Sequence, residues 1–142
     1  MSSAGRIREI EVYRDIPIVE FSYSEPMLLT AETHCEQLLT LLEYEAERFS
    51  VIVDYNNISC SNQYGPHDQV KIFELPQLAD FEDRIISMSR YHARSLTALV
   101  STMSAHSLLQ QGASNFAPDL DTAVRAARRS IDHDLAYQRE NA

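Results

Sequence analysis

The chain has 142 residues, 44% of them hydrophobic and 23% charged, with twelve Lys and Arg against twenty-one Asp and Glu and a formal net charge of −9. That length supports one core and one domain, read as 1–142 with its core at about 7–131. The acidic balance speaks against duplex nucleic acid or a membrane surface as partner, since both call for a basic footprint.

Residues 7–13 and 16–23 carry β-branched and aromatic residues in partial alternation, and Arg14-Asp15 between them reads as the tight turn of a hairpin. Pro17 has no amide donor and suits a strand start. Thr30 is placed to cap a helix with an apolar stripe of Cys35, Leu38, Leu39, Leu42 and Ala46. Glu43, Glu45 and Glu47 lie near its carboxyl end, the unfavourable end of the helix dipole, so they are expected to be solvated or answered by Arg48. The apolar run Phe49 to Asp54 reads as a strand buried on both faces.

Residues 55–66 are rich in turn formers and end in Gly65-Pro66. A helical piece is expected over 67–75, and beyond Pro76 a second one with the stripe Leu78, Phe81, Ile85, Met88 and His92. Residues 96–102 read as a strand, Ala105 to Gln111 as a short helix stopped by Gly112, and Phe116 as a minimal last strand. Pro118 to Asp121 opens a final helix through Val124, Ala127 and Ile131, with a frayed tail over 132–142. The fold class that follows is α/β: one domain, a mixed, mostly parallel sheet of four to five strands with an opening β-hairpin, and helices packed on it.

The first residues, Met1 to Glu11, hold no apolar stretch, and no run is long enough to cross a bilayer. Cys35 and Cys60 make no disulfide framework, so a cytoplasmic protein is expected. Asp54, at the carboxyl end of a buried strand and paired with Ser101 and Thr102, invites comparison with a phospho-accepting receiver domain. The adjacent acids and the lysine after the last strand are missing, and the lone lysine is Lys71, so Asp54 is read as capping the amides of Asn56 or Asn57. Cys35, Cys60, His34 and His67 lack the close pairing of zinc ligands; Cys35 reads as core and the two histidines as surface. No nucleophile elbow or phosphate-cradling loop is present. His92, His106 and His133 have no catalytic context, and Arg125, Arg128 and Arg129 read as a solvated face first and a partner patch second. No catalytic residue, metal site or cofactor is assigned, and the protein is not read as an enzyme.

The hairpin, VIVDYNNISCSNQYG (51–65), LTALVST (96–102) and FAPDLDTAVRAA (116–127) together resemble a STAS-type domain, the sulfate-transporter and anti-sigma-factor-antagonist fold, and within it the bacterial STAS-like branch of unknown function. The likeness spans roughly 7–131. It implies a non-enzymatic regulatory domain that works by docking a protein partner. Where regulatory members carry a D-S-S-G-like turn, this chain reads Asn62-Gln63-Tyr64-Gly65, so no phosphosite is carried over. The docking surface is expected at Tyr55, Asn57, Ser59, Ser61 and Tyr64, whose polar and aromatic groups give contact area at low entropic cost. The alternative is that these residues simply complete a long connection. A second reading is a carrier of a small apolar ligand, held among Met27, Phe73, Phe81 and Met88. A homodimer is open to the chain through the hairpin edge or the alanines Ala123, Ala126 and Ala127.

Charge is uneven along the chain. Residues 15–83 hold fourteen acids against two bases, whereas the segments on either side are slightly basic. If folding keeps these parts on separate faces, a basic partner or head-to-tail docking becomes reasonable.

Overall fold

The computed structural model describes residues 5–60, 71–72, 74–91 and 116–140. The opening hairpin forms as expected. Strands β1 (Gly5–Tyr13) and β2 (Ile16–Tyr23) pair antiparallel, with Tyr13 opposite Ile16, so Arg14-Asp15 is a two-residue turn. Both turn residues have positive φ, 51° and 68°, the backbone that matches strand twist and that Asn-Gly adopts at lower cost. A bulge at Glu9–Glu11 shifts the outer strand's register.

Strand β2 is followed by a short β3 (Met27–Leu29) and by helix α1 (Ala31–Leu42). Thr30 caps α1 by accepting from the Thr33 amide, while the Thr33 hydroxyl oxygen accepts from the Thr30 amide at 2.7 Å. Then come β4 (Phe49–Asp54), β5 (Ile58–Cys60), a 3-10 turn at Pro76–Leu78, the short helix α2 (Phe81–Arg84), β6 (Ile85–Tyr91), β7 (Phe116–Ala117) and helix α3 (Leu120–Glu140). The main sheet runs β1-β2-β4-β6-β7, parallel except for the hairpin, while β3 and β5 form a parallel pair of their own.

The sheet separates two cores. On one face Val19, Phe21, Val51, Val53 and Ile85 pack against Leu38 and Leu41 of α1, with Leu78 and Phe81 alongside. On the other, Ile16, Ile18, Ile52 and Tyr91 pack against Ala123, Val124, Ala127 and Ile131 of α3. Strict alternation along β2 and β4 feeds both layers, which is why these strands carry almost no exposed residue.

Three expectations are corrected here. Ile85 to Tyr91 is a strand rather than the continuation of a helix. Phe49 lies opposite Ile85 but Val51 opposite Met88, so β6 fits one extra residue into that interval, and the bulge turns Ile85 and Met88 to the same face. Their three-residue spacing imitates a helix while belonging to a strand. The tail from 132 is not frayed: α3 continues to Glu140, with Asp134 bound to Arg48 and Leu135 packed on the core. Ala123 and Ala127 are wholly buried against the sheet and offer no dimer surface. The expected helix at 105–111, the strand at 96–102 and most of the piece at 67–75 lie outside the described residues.

Candidate functional site

The carboxyl ends of parallel strands are where α/β sheets expose functional groups, and here they carry a dense polar junction. Asp54 ends β4, and its carboxylate accepts from the Asn56 amide at 2.8 Å and from Asn56 Nδ2 at 2.7 Å, the capping role expected of it. Asn57 Nδ2 donates to the Tyr23 carbonyl at 2.7 Å, and the Met27 amide donates to the Asn57 carbonyl at 2.7 Å. The Tyr55 amide reaches the Tyr91 carbonyl at 3.0 Å. The loop after β4 is therefore knotted to β2, β3 and β6 by its own backbone and amides.

This placement bears on the residues proposed for docking. Tyr55 is buried in the α1-side core, so its ring offers no surface. Asn57 donates its side-chain amide to the Tyr23 carbonyl, and Ser59 is half-buried in β5 opposite Leu28. Ser61 and Tyr64 lie outside the described residues. Of the residues proposed around an apolar ligand, Phe81 packs in the core; Met27 borders a crevice of about 20 Å³ and Met88 a separate open groove, while Phe73 lies outside the described residues. The structure does not bring these three together around one cavity. That groove, about 1060 Å³, runs along the outer edge of β6 beside α3.

Two buried polar groups had no sequence signal. Glu20, on the α3 side of β2, accepts from Arg8 at 2.8 Å and from the Tyr91 hydroxyl at 2.7 Å. Burial and then this hydrogen bond raise the Tyr91 phenol above its ordinary value. His34 is buried on α1 rather than exposed as expected, because the inward face of the helix is centred on His34, Gln37, Leu38 and Leu41. Burial, and then the charge of Arg90, push its imidazole down to about 4.

The two helical layers differ in how they are tied. On the α3 side, Arg48 grips Asp134 in a bidentate pair at 2.7 and 2.8 Å, and Arg128 grips Glu11 at 2.7 and 2.6 Å. The Tyr13 hydroxyl binds Asp132 at 2.9 Å, with Arg14 3.1 Å from the same carboxylate. These pairs hold Glu11 and Asp134 below the usual carboxylate range, chiefly through the arginine hydrogen bonds. On the α1 side the exposed acids have no such answer among the described residues. Arg48 leaves this layer for Asp134, and Arg84 is directed not at carboxylates but at the carbonyls of Leu42, Tyr44 and Ala46, at 2.6, 2.7 and 2.8 Å.

Consequently Glu32 and Glu36 on α1, Glu43, Glu45 and Glu47 after it, and Glu74, Asp80, Glu82 and Asp83 before β6 are all exposed, and none forms an ion pair among the described residues. Arg84 draws the turn after α1 against the start of β6, so much of this charge gathers at one end of the layer. The opposite layer, with β1 and α3, holds six arginines on those two elements, and all four ion pairs of the described residues lie there: Arg8 with Glu20, Arg14 with Asp132, Arg48 with Asp134 and Arg128 with Glu11.

Among the described residues no three His, Cys, Asp or Glu side chains converge to hold a metal ion, and no helix is long and apolar enough to cross a membrane. No family model matches the chain, and no curated protein or solved structure matches it significantly.

Proposed function

We propose that this chain is a non-enzymatic, STAS-like interaction domain whose α1 layer docks a basic segment of a protein partner. The observation that carries the reading is the partition of charge across the sheet: an acidic run in the sequence becomes a face of exposed carboxylates that form no ion pair among the described residues, backed by a helix and an apolar core. The four ion pairs of the described residues all lie on the opposite face. Such a field raises the encounter rate with a cationic surface and rejects acidic ones. The opening hairpin and the mostly parallel sheet are of the fold class that the STAS resemblance implies, and the docking surface is assigned not to the 55–66 loop, whose Tyr55 is buried, but to the neighbouring layer.

Capture experiments with tagged protein test it. Replacing Glu43, Glu45 and Glu47 together by Lys is expected to abolish partner capture while leaving the melting temperature within about 2 °C, since surface changes are usually small in energy. The control variant Arg125→Glu/Arg129→Glu, on the other layer, is expected to capture normally. Loss in the control alone, or in neither variant, would refute the assignment of the face.

A further inference from the structure

The main sheet has one long open edge. Strand β1 is outermost in the order β1-β2-β4-β6-β7, and among the described residues it pairs with β2 alone, whereas the opposite edge is the two-residue β7. In an antiparallel ladder, alternate residues aim their amides and carbonyls away from the partner strand. Counted back from the Tyr13–Ile16 pair beside the two-residue turn, and across the bulge, these are Val12, Glu9, Ile7 and Gly5. Such an edge is a template for one more strand.

Its side chains are segregated by charge. Arg6 and Arg8 lie in the first half of β1, Glu9 and Glu11 in the second. The register with β2 puts Ile7, Glu9 and Val12 on the α1 side, opposite Phe21, Val19 and Pro17. Arg6, Arg8, Glu11 and Tyr13 lie on the α3 side, opposite Ser22, Glu20, Ile18 and Ile16. Val12 is 55% exposed, an apolar side chain left in solvent at this edge. A second copy of β1 in parallel register would set each charge against its like, which is unfavourable. Turned about a two-fold axis at Glu9, perpendicular to the sheet, the copy is antiparallel and keeps each face on its own side. Ile7 then faces the partner's Val12 and Arg8 the partner's Glu11, each twice by symmetry, and Arg6 meets the partner's Tyr13 ring. Arg8 can take this second carboxylate, because its side chain stays 64% exposed while bound to Glu20 and its guanidinium has N–H donors to spare. The cost falls at the axis, where Glu9 meets its own copy.

We infer that β1 pairs with β1 of a second copy, antiparallel about Glu9, joining the two sheets into a closed two-fold dimer. Charge complementarity names the occupant, because the basic half of one strand meets the acidic half of the other. The assembly stops at two, since β7 is too short an edge to extend the joined sheet. An edge ladder buries little area, so association is expected in the micromolar range. The inference does not rest on the docking reading; it sets the two α1 faces on the same side of the joined sheet.

Sedimentation equilibrium of the whole chain tests this. The average mass is expected to rise from one chain toward two, and no further, as concentration climbs through the micromolar range. Val12→Lys places a charge opposite Ile7 and is expected to weaken the dimer about tenfold. Glu9→Gln removes the like-charge contact at the axis and is expected to tighten the dimer about threefold, whereas Glu82→Gln, which removes the same charge ahead of β6, leaves it unchanged. Val12, Glu9 and Glu82 are all exposed, so these variants keep the fold. A chain that stays monomeric at millimolar concentration, assemblies larger than two, or a dimer that Val12→Lys spares would overturn the inference. So would a Glu9→Gln variant that associates no more tightly than Glu82→Gln.

Discussion

The two faces of the sheet hold their helices by different physics. Helix α3 packs on the sheet through small residues of its own, Ala123 and Ala127, and is then fastened by side-chain ties to Glu11, Tyr13 and Arg48. Helix α1 is held by larger apolar side chains, Leu38 and Leu41 against Phe21 and Phe49, and by one arginine that binds backbone carbonyls. The α3 layer thus uses its charges for its own attachment, whereas the α1 layer leaves its carboxylates in solvent. The lesson concerns allocation: charge committed to internal pairs is unavailable to a partner, and charge left exposed costs little stability when the attachment is apolar.

That contrast can be broken from either side, and the largest effects are expected in the apolar layer. Leu41→Ala should lower unfolding free energy by about 3 kcal/mol in urea denaturation, because a fully buried leucine leaves a cavity. Next comes acid. The His34 imidazole is pushed down to about 4 in the folded chain against 6.5 unfolded, so the unfolded state binds the extra proton between those values. Stability should be complete above pH 6.5 and fall as pH drops toward about 4, by roughly 3 kcal/mol in total. His34→Gln should flatten that slope. The paired carboxylates behave differently: Glu11 and Asp134 have depressed folded values, so their contribution stays until pH falls below the ordinary carboxylate range. Hydrogen exchange at pH 5 is therefore expected to rise in α1 before α3; the reverse order would contradict the histidine's role.

Arg84→Met should cost about 2 kcal/mol and loosen the turn after α1, since three carbonyls lose a charged donor. On the α3 side, a double-mutant cycle on Arg48 and Asp134 should give a coupling of only about 1 kcal/mol, as both groups are partly solvated. Smallest is the hairpin. Asp15→Gly relieves a positive φ of 68° and should stabilise by about 0.5 kcal/mol, measured by thermal melting.

Much of the architecture is legible from residue patterns. The hairpin, the Thr30 cap, the strand Phe49–Asp54 and the Asp54 cap all follow from local chemistry, because each is decided within a few residues. What escaped needed partners distant in sequence. The extra residue in β6 is visible only against β4, and without it Ile85 and Met88 sit at helical spacing. The strand pair β3 and β5 is too short to carry a period. The inward face of α1 includes His34 and Gln37, polar residues that a hydrophobic stripe cannot reveal. Arg48, the nearest cation to Glu43, Glu45 and Glu47 in sequence, crosses to Asp134 instead, and the arginine that meets the end of α1 lies some forty residues away. The charged segment, by contrast, was plain in the sequence; that it becomes one face depends on which side of the sheet its elements pack.

The most direct test of that charged face is a residue-resolved footprint of a cationic probe. A short oligolysine peptide titrated into labelled protein is expected to shift amide resonances of residues 31–47 and 74–84, to leave 120–140 unchanged, and to lose its effect as salt rises. Shifts spread equally over both helical layers, or centred on α3, would contradict the account.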